Sequence, residues 1–251
     1  MLISVVTACF NSERTIRKTI EAMLAQTYNE VEYIIIDGAS KDNTVEVAES
    51  YRPQFEKRGY KYIIVSEPDH GIYDAMNKGI RMATGEIIGI INSDDYYKPN
   101  ALQRVAETYE KEHFDMFYAQ LDNVNPDGTF HHAKHCRDDI IATTRHWNHP
   151  TTFITKATYD ELGAFKNKGG LYDDFDLYLR IRKAGKKRVI LDETLAVFQL
   201  GGASDPHGLK HAWRLFKDKY ACYRDNGYSR LYVLECLAME GGRYIYYKIK
   251  K

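Results

Sequence analysis

Leu2-Ile3-Ser4-Val5-Val6-Thr7-Ala8 is a short apolar, β-branched run, which predicts a strand buried on both faces. Polar residues follow at once, Cys9-Phe10-Asn11-Ser12. Ile16, Ile20, Met23 and Leu24 then recur at helical spacing, so Ser12 is expected to cap a helix ending near Gln26. The rhythm repeats outward. Residues 31–36 read as a second strand that stops at Asp37-Gly38, with a short polar helix from about Asp42. Residues 60–65 give a third strand, 72–82 a helix closed by Gly85, and 86–91 a fourth strand. Strand and helix alternating in this way predict parallel βαβ units with right-handed crossovers.

After Pro99 a helix is expected to about Glu112, then a strand over 116–124. Asn125-Pro126-Asp127-Gly128 is a strong turn signal, so residues 129–135 should return antiparallel as a hairpin. A strand over 151–155, a short helix, and a helix from about Asp174 closed by Gly185 come next. Strand character returns at 189–191 and 195–199, and everything after Gly208 reads as helix, broken near Asn226-Gly227. The simplest organisation is one α/β domain over residues 1–206 with a helical C-terminal appendage over 207–251.

The chain has 251 residues, 44% hydrophobic and 28% charged, the profile of an ordinary globular protein. Thirty-five basic residues balance 35 acidic ones, which argues against a nucleic-acid-binding protein. The balance is local, however: residues 207–251 hold ten basic against four acidic residues, and seven of the 20 tyrosines. No apolar run reaches the ~18 residues of a membrane span, and the first residues lack the basic start of a signal peptide. Cys9, Cys136, Cys222 and Cys236 show no CxxC spacing, so reduced thiols in a cytoplasmic protein are expected.

Ligands of open parallel sheets bind beyond the carboxyl ends of the strands. Three such ends carry polar clusters here: Thr7 to Asn11, Asp37 to Thr44, and Asn92-Ser93-Asp94-Asp95. Taken singly, Asn11, Ser12, Asp37, Ser40 and Asp42 can be explained as caps or Asx turns. Three clusters on one edge of one sheet point to a binding site. The sequence has no GxGxxG after the first strand, no Walker GxxxxGK[ST], no GxSxG and no HExxH. It has instead two adjacent carboxylates, Asp94 and Asp95, after an apolar strand. Mg²⁺ and Mn²⁺ suit such a site, since they take one or two carboxylates plus substrate phosphates. A metal–diphosphate ligand follows, with Asp37 placed to accept from a base N–H.

These pieces resemble the family 2 glycosyltransferases of the GT-A fold, those that build bacterial exopolysaccharide and O-antigen units. The match runs through Ser4-Val5-Val6-Thr7-Ala8-Cys9-Phe10-Asn11 and Asp37-Gly38-Ala39-Ser40-Lys41-Asp42-Asn43-Thr44. It continues through Ser66-Glu67-Pro68-Asp69-His70-Gly71-Ile72-Tyr73-Asp74-Ala75-Met76-Asn77-Lys78-Gly79, of colanic-acid type, and Asn92-Ser93-Asp94-Asp95. Weaker echoes are His149-Pro150, Leu162-Gly163-Ala164-Phe165, Asp173-Asp174-Phe175-Asp176-Leu177 and Gly201-Gly202-Ala203-Ser204. The resemblance implies a Rossmann-like, mostly parallel sheet flanked by helices, with residues 1–100 holding the nucleotide-sugar and 101–206 the acceptor. It implies donor contacts from Thr7, Ala8, Phe10, Asn11, Asp37 and Asp69. Asp94 would face the ribose or sugar, and Asp95 would bind Mn²⁺ or Mg²⁺. Serine at position 93 departs from the full Asp-x-Asp and leaves one firm carboxylate ligand. The Gln-x-x-Arg-Trp box of processive synthases is absent, which favours transfer of one sugar, with UDP the favoured carrier and guanosine or thymidine donors open.

An inverting transfer needs one base to take the acceptor proton. The resemblance assigns that role to Asp174, while Asp173 or Asp174 could equally serve as a helix cap. His149 and Asp173 are further candidates for acceptor or diphosphate contact, and His149 and His207 for contact with the diphosphate or the metal. His131, His132, His135 and Cys136 invite a zinc reading, yet His131 and His132 point to opposite strand faces and lack a partner motif. Two other classes compete with the transferase: a sugar nucleotidyltransferase, which would show a glycine-rich basic loop after the first strand, and a non-catalytic nucleotide-sugar-binding protein, which would not need Asp95 and Asp174 together. The expected acceptor is a saccharide or lipid-linked saccharide. Residues 243–251, with four basic residues, three tyrosines and no acid, suggest peripheral contact with an anionic membrane. The same tyrosines could pack on the main domain or on a second subunit of a homodimer.

Overall fold

The structure, a computed structural model, describes residues 1–138, 140–201 and 208–249. The Gly202-Ala203-Ser204 part of the glycine motif, His207 and the terminal Lys250-Lys251 lie outside the described residues. The chain runs β1 (Ile3–Cys9), α1 (Ile16–Leu24), β2 (Val31–Asp37), α2 (Thr44–Glu49), α3 (Arg52–Arg58), β3 (Lys61–Ser66), α4 (Ile72–Met82) and β4 (Ile87–Ile90). It continues through β5 (Tyr96–Tyr97), α5 (Ala101–Glu112), β6 (Met116–Val124), β7 (Phe130–Lys134), β8 (Phe153–Thr155), α6 (Lys156–Leu162), α7 (Asp173–Lys183) and β9 (Arg188–Gln199). Helices α8 (Leu209–Asp225), α9 (Tyr232–Cys236) and α10 (Gly242–Ile249) follow, the last two joined by a π-helical turn.

Among the described residues one sheet has the order β3-β2-β1-β4-β8-β6-β9-β5, with β7 paired to β6. Strands β1 to β4 are mutually parallel, and so are β6 and β9; β8, β7 and β5 run antiparallel to their neighbours. The apolar runs are explained by burial on both sides. Ile3, Val5, Tyr33 and Ile35 face one core with α1 and α5, while Val6, Ala8, Ile34 and Ile36 face the other with α4 and α7. Helix α4 lies so close to β1 that a Cβ at Gly79 would collide with Val6. Helices α8 and α9 add Leu215, Cys222, Tyr223 and Cys236 to that second core.

Four expectations change. Ser12 does not cap α1, which starts at Ile16 after a turn; its hydroxyl contacts Ser93 instead. The single polar helix after Asp42 is two helices, the second starting at Arg52 and carrying Pro53 in its first turn, where the missing N–H costs nothing. Residues 188–199 form one strand rather than two, because β6 and β5 both pair with it. The strand predicted from Thr151 begins at Phe153, since His149–Thr151 form a 3₁₀ turn.

Candidate active site

The carboxyl ends of β1, β2 and β4 meet at one edge, and their loops are laced together by side chains. The Asn11 N–H donates to Ser40 Oγ at 2.8 Å, and Asn11 Oδ1 accepts from the Lys41 N–H at 2.8 Å. The Ser12 N–H donates to Thr44 Oγ1 at 2.7 Å, and the Glu13 N–H to Asp42 Oδ2 at 3.1 Å. The Ser12 and Ser93 hydroxyls lie 2.8 Å apart and bring in the third loop. Asn11 takes a φ of 49°, a left-handed conformation that asparagine tolerates. The polar residues that marked the edge as a site therefore spend most of their hydrogen bonds on one another.

Asp37 shows this most clearly. It is fully buried; Oδ2 accepts from the Ser40 N–H at 3.0 Å and from Ser66 Oγ at 2.6 Å, and Oδ1 accepts from Ser40 Oγ. Its carboxylate supports the loop and is not among the side chains lining the cleft. Thr7 is likewise buried, its hydroxyl 3.1 Å from Tyr33 Oη, and Asn11 stands outside the cleft.

The cleft itself, about 530 Å³, is lined by Ala8, Phe10, Asp69, Ser93 and Asp94, with Phe198 and Gln199 of β9 opposite. Phe10 is 60% exposed, an aromatic shelf at the mouth. Asp69 accepts the Gly71 N–H at 2.8 Å and sits over Gly38, where any Cβ would strike its carboxylate. That close approach is why glycine stands at position 38.

Asp94 and Asp95 point different ways. Asp94 lines the cleft, accepts no hydrogen bond from another residue among the described ones, and has its carboxyl pushed upward by burial. Asp95 is fully buried beneath it: Oδ1 accepts the Gln199 N–H at 2.9 Å, and Oδ2 has no hydrogen-bond partner among the described residues. Burial, then the neighbouring Asp94, hold the Asp95 carboxyl well above the usual range. Of the pair expected to face the sugar and the metal, Asp94 thus lines the cleft, and Asp95, the expected metal ligand, lies under it with one carboxylate oxygen unused among the described residues. The antiparallel pairing of β5 with β9 turns Asp95 inward and leaves Asp94 at the surface of the cleft. Among the described residues no three His, Cys, Asp or Glu side chains cluster as a cage, including His131, His132, His135 and Cys136. A part-buried carboxylate on an open cleft is a donor suited to a hard cation that completes its shell with substrate phosphates.

A second pocket, about 180 Å³, adjoins the first at Phe198. Asp174 stands in it on the first turn of α7. Its Oδ1 accepts from Tyr73 Oη at 3.0 Å and from the Phe175 N–H at 2.8 Å, while Oδ2 makes no hydrogen bond among the described residues. His149 Nδ1 lies 3.8 Å from Oδ2, and burial lowers its proton affinity against the pull of Asp174. Asp173 is buried, accepts the Lys168 N–H at 2.9 Å, and does not line this pocket. Asp176 is tied to Lys166 and Arg180 at 2.8 and 2.9 Å. Of the three first-turn aspartates, Asp174 is the one that lines this pocket. Tyr73, Lys134, Trp147 and Arg243 also line or support this pocket and were not assigned from sequence. Tyr73 lay inside the Gly71-Ile72-Tyr73-Asp74 motif, so a signal for it existed.

Fold and cleft together define a protein of GT-A type. Residues 4–171 match the pattern of glycosyl transferase family 2, and the chain belongs to that family. It is 31% identical over 123 residues to the Bacillus subtilis protein named uncharacterized glycosyltransferase EpsJ, covering 47% of this chain and 35% of EpsJ. A PGL/p-HBAD biosynthesis glycosyltransferase of Mycobacterium bovis is 26% identical over 181 residues, covering 71% of this chain and 69% of that one. The chain thus spans about a third of EpsJ and about two thirds of the mycobacterial relative. In structure it is similar to S. aureus TarS residues 1–349 in complex with UDP-GlcNAc, with TM-score 0.71 and 17% identity over 97% of this chain and 72% of that one. The mannosyltransferase PcManGT of Pyrobaculum calidifontis, in complex with GDP-Man and Mn²⁺, gives TM-score 0.67 and 16% identity over 95% and 69%.

Proposed function

We propose that the protein transfers one sugar, with inversion, from a nucleoside-diphosphate sugar (UDP the favoured carrier) to a hydroxyl of a glycan or lipid-linked saccharide in cell-surface polysaccharide synthesis. The observation that carries this reading is the open Oδ2 of Asp174 in a pocket that adjoins, at Phe198, the cleft containing Asp94.

Phe10 offers a face for a base, and Asp69 an acceptor for a base or ribose donor. Asp94, with the donor's own diphosphate, would hold Mn²⁺ or Mg²⁺. When bound, that ion offsets the charge growing on the diphosphate leaving group. The acceptor hydroxyl enters from the second pocket and gives its proton to Asp174 Oδ2 as its oxygen bonds to C1 and the C1–O bond to the diphosphate breaks. Tyr73 fixes the carboxylate through Oδ1 and leaves Oδ2 for that proton. A single in-line displacement needs no covalent nucleophile. A non-catalytic binder would have use for the first cleft alone, and the second pocket with its available carboxylate favours the enzyme.

The test is a panel of UDP-, GDP- and dTDP-sugars incubated with Mn²⁺ or Mg²⁺ and candidate glycosides, followed by NMR. Consumption of one donor with product of the opposite anomeric configuration supports the reading. Retention of configuration, or no consumption of any donor, contradicts it.

A further inference from the structure

The cleft and the second pocket share a single wall residue among the described ones. Phe198, on β9, lines both. For transfer through this site, the sugar must still be held by its diphosphate beside Asp94 while its C1 comes within bonding reach of a hydroxyl at Asp174. The sugar ring therefore lies where the two spaces meet, and Phe198 is the wall there. Its surroundings are apolar as well, with Pro126 and Leu200 on the cleft side and Leu121 on the pocket side.

Strand β9 holds this residue firmly. Val197 pairs with Tyr96 of β5, and Phe198 itself pairs with Asn123 of β6. The Gln199 N–H donates to Asp95 Oδ1 at 2.9 Å, and the Leu200 N–H donates to the Val124 carbonyl at 2.9 Å. The backbone is thus tied down on each side of Phe198, once through the carboxylate next to Asp94. Phe198 packs against the core on the α1 and α5 side yet stays only partly buried. A phenylalanine needed for the core alone gains most from full burial. One that lines two cavities leaves apolar surface for a ligand to cover.

We propose that Phe198 is the platform for the transferred sugar: its side chain packs on the C–H face of the pyranose ring, and the hydroxyls turn away from it. This rests on the transferase reading and adds to it the residue that tells a nucleotide-sugar from the bare nucleotide. An aromatic ring brings a large, rigid contact area, which suits a ring-shaped substrate.

The test is calorimetry in Mn²⁺, without acceptor, of a nucleotide-sugar beside its own diphosphate. UDP-GlcNAc is paired with UDP, and GDP-mannose with GDP and dTDP-glucose with dTDP cover the other carriers. F198A and F198L should bind the diphosphate as the wild type does and the nucleotide-sugar roughly tenfold more weakly, while F198Y keeps the wild-type ratio. F198L retains apolar bulk, so it reports on the platform even where F198A melts early. A residue that only supports the fold would weaken both ligands of a pair alike. That parallel loss, or unchanged nucleotide-sugar affinity in F198L, would overturn the proposal. Donor consumption by the wild type is the separate check: no consumption defeats the transferase reading, whereas consumption with an unaltered affinity ratio in F198L defeats the platform alone.

Discussion

At the residue scale the sharpest contrasts are between neighbours. Asp174→Asn keeps the shape and the first-turn position but removes the basic oxygen, so turnover should drop by roughly 10²–10⁴-fold with donor affinity nearly unchanged. Asp173→Asn should instead lower stability, because its carboxylate accepts the Lys168 N–H from a buried position, and leave most of kcat in place. Steady-state kinetics with thermal melts on both variants separates the two; the reverse pattern would move the base to Asp173. The run Asp173-Asp174 was visible as a candidate pair in the sequence. Which member is open could not be read there, because it depends on Lys168 and Tyr73, residues brought together by the fold. The same limit applied to Asp94 and Asp95. Side chains alternate after a strand, and the sense of the alternation is set by β9 over a hundred residues away.

At the element scale the loops after β1 and β2 behave as one unit. Asp37→Asn should cost about 1–3 kcal/mol of stability, since one of its donors is left facing an amide, and any loss of donor binding should follow from loosened loops. Equal melting temperatures for Asp37→Asn and the wild-type protein would contradict the supporting role. Strand ends carry a second such carboxylate. Glu32 is buried beside Lys61 at 2.5 Å and accepts the Thr84 N–H at 2.8 Å. Burial raises its proton affinity, but these bonds and Ser4 outweigh it and hold the group below the usual range. Its contribution is thus full above the unfolded value near ~4.3 and is lost as the pH falls through the lower folded value. Urea melts of Glu32→Gln and the wild type should therefore differ at pH 7 and converge toward pH 3. The β1–β4 alternation and α4 were legible because burial on both faces writes continuous apolar runs. The two-residue β5 and the unbroken β9 were not, because long-range pairing rather than local pattern makes them.

At the scale of the whole molecule, the C-terminal helices both complete the second core and leave apolar side chains outside. Leu231, Leu234 and Leu237 are exposed on the α9 segment, with Ile245 beyond them on α10. Among the described residues no helix is long and apolar enough to cross a membrane. We propose an anionic bilayer surface as the partner of this face, where each basic residue near the surface would add about 1 kcal/mol. Salt-sensitive sedimentation with phosphatidylserine vesicles is expected, and Leu234→Ser/Leu237→Ser should reduce it. Sedimentation equal in both proteins would leave a second subunit or an acceptor-handling partner as the occupant of that face. Arg243 shows that the basic tail is not all available to lipid, since it lines the second pocket. Composition revealed the excess of charge there, but not that part of it faces inward.

The central claim is that Asp94, the carboxylate exposed to the cleft, joins a divalent cation and a nucleoside diphosphate in sugar transfer. Metal-dependent cleavage of the preferred nucleotide-sugar, followed by NMR for wild type, Asp94→Asn and Asp95→Asn, tests it most directly. The account predicts that Asp94→Asn abolishes cleavage at unchanged stability, whereas Asp95→Asn shifts the melting temperature and retains part of the rate. Undiminished metal-dependent cleavage in folded Asp94→Asn would contradict it.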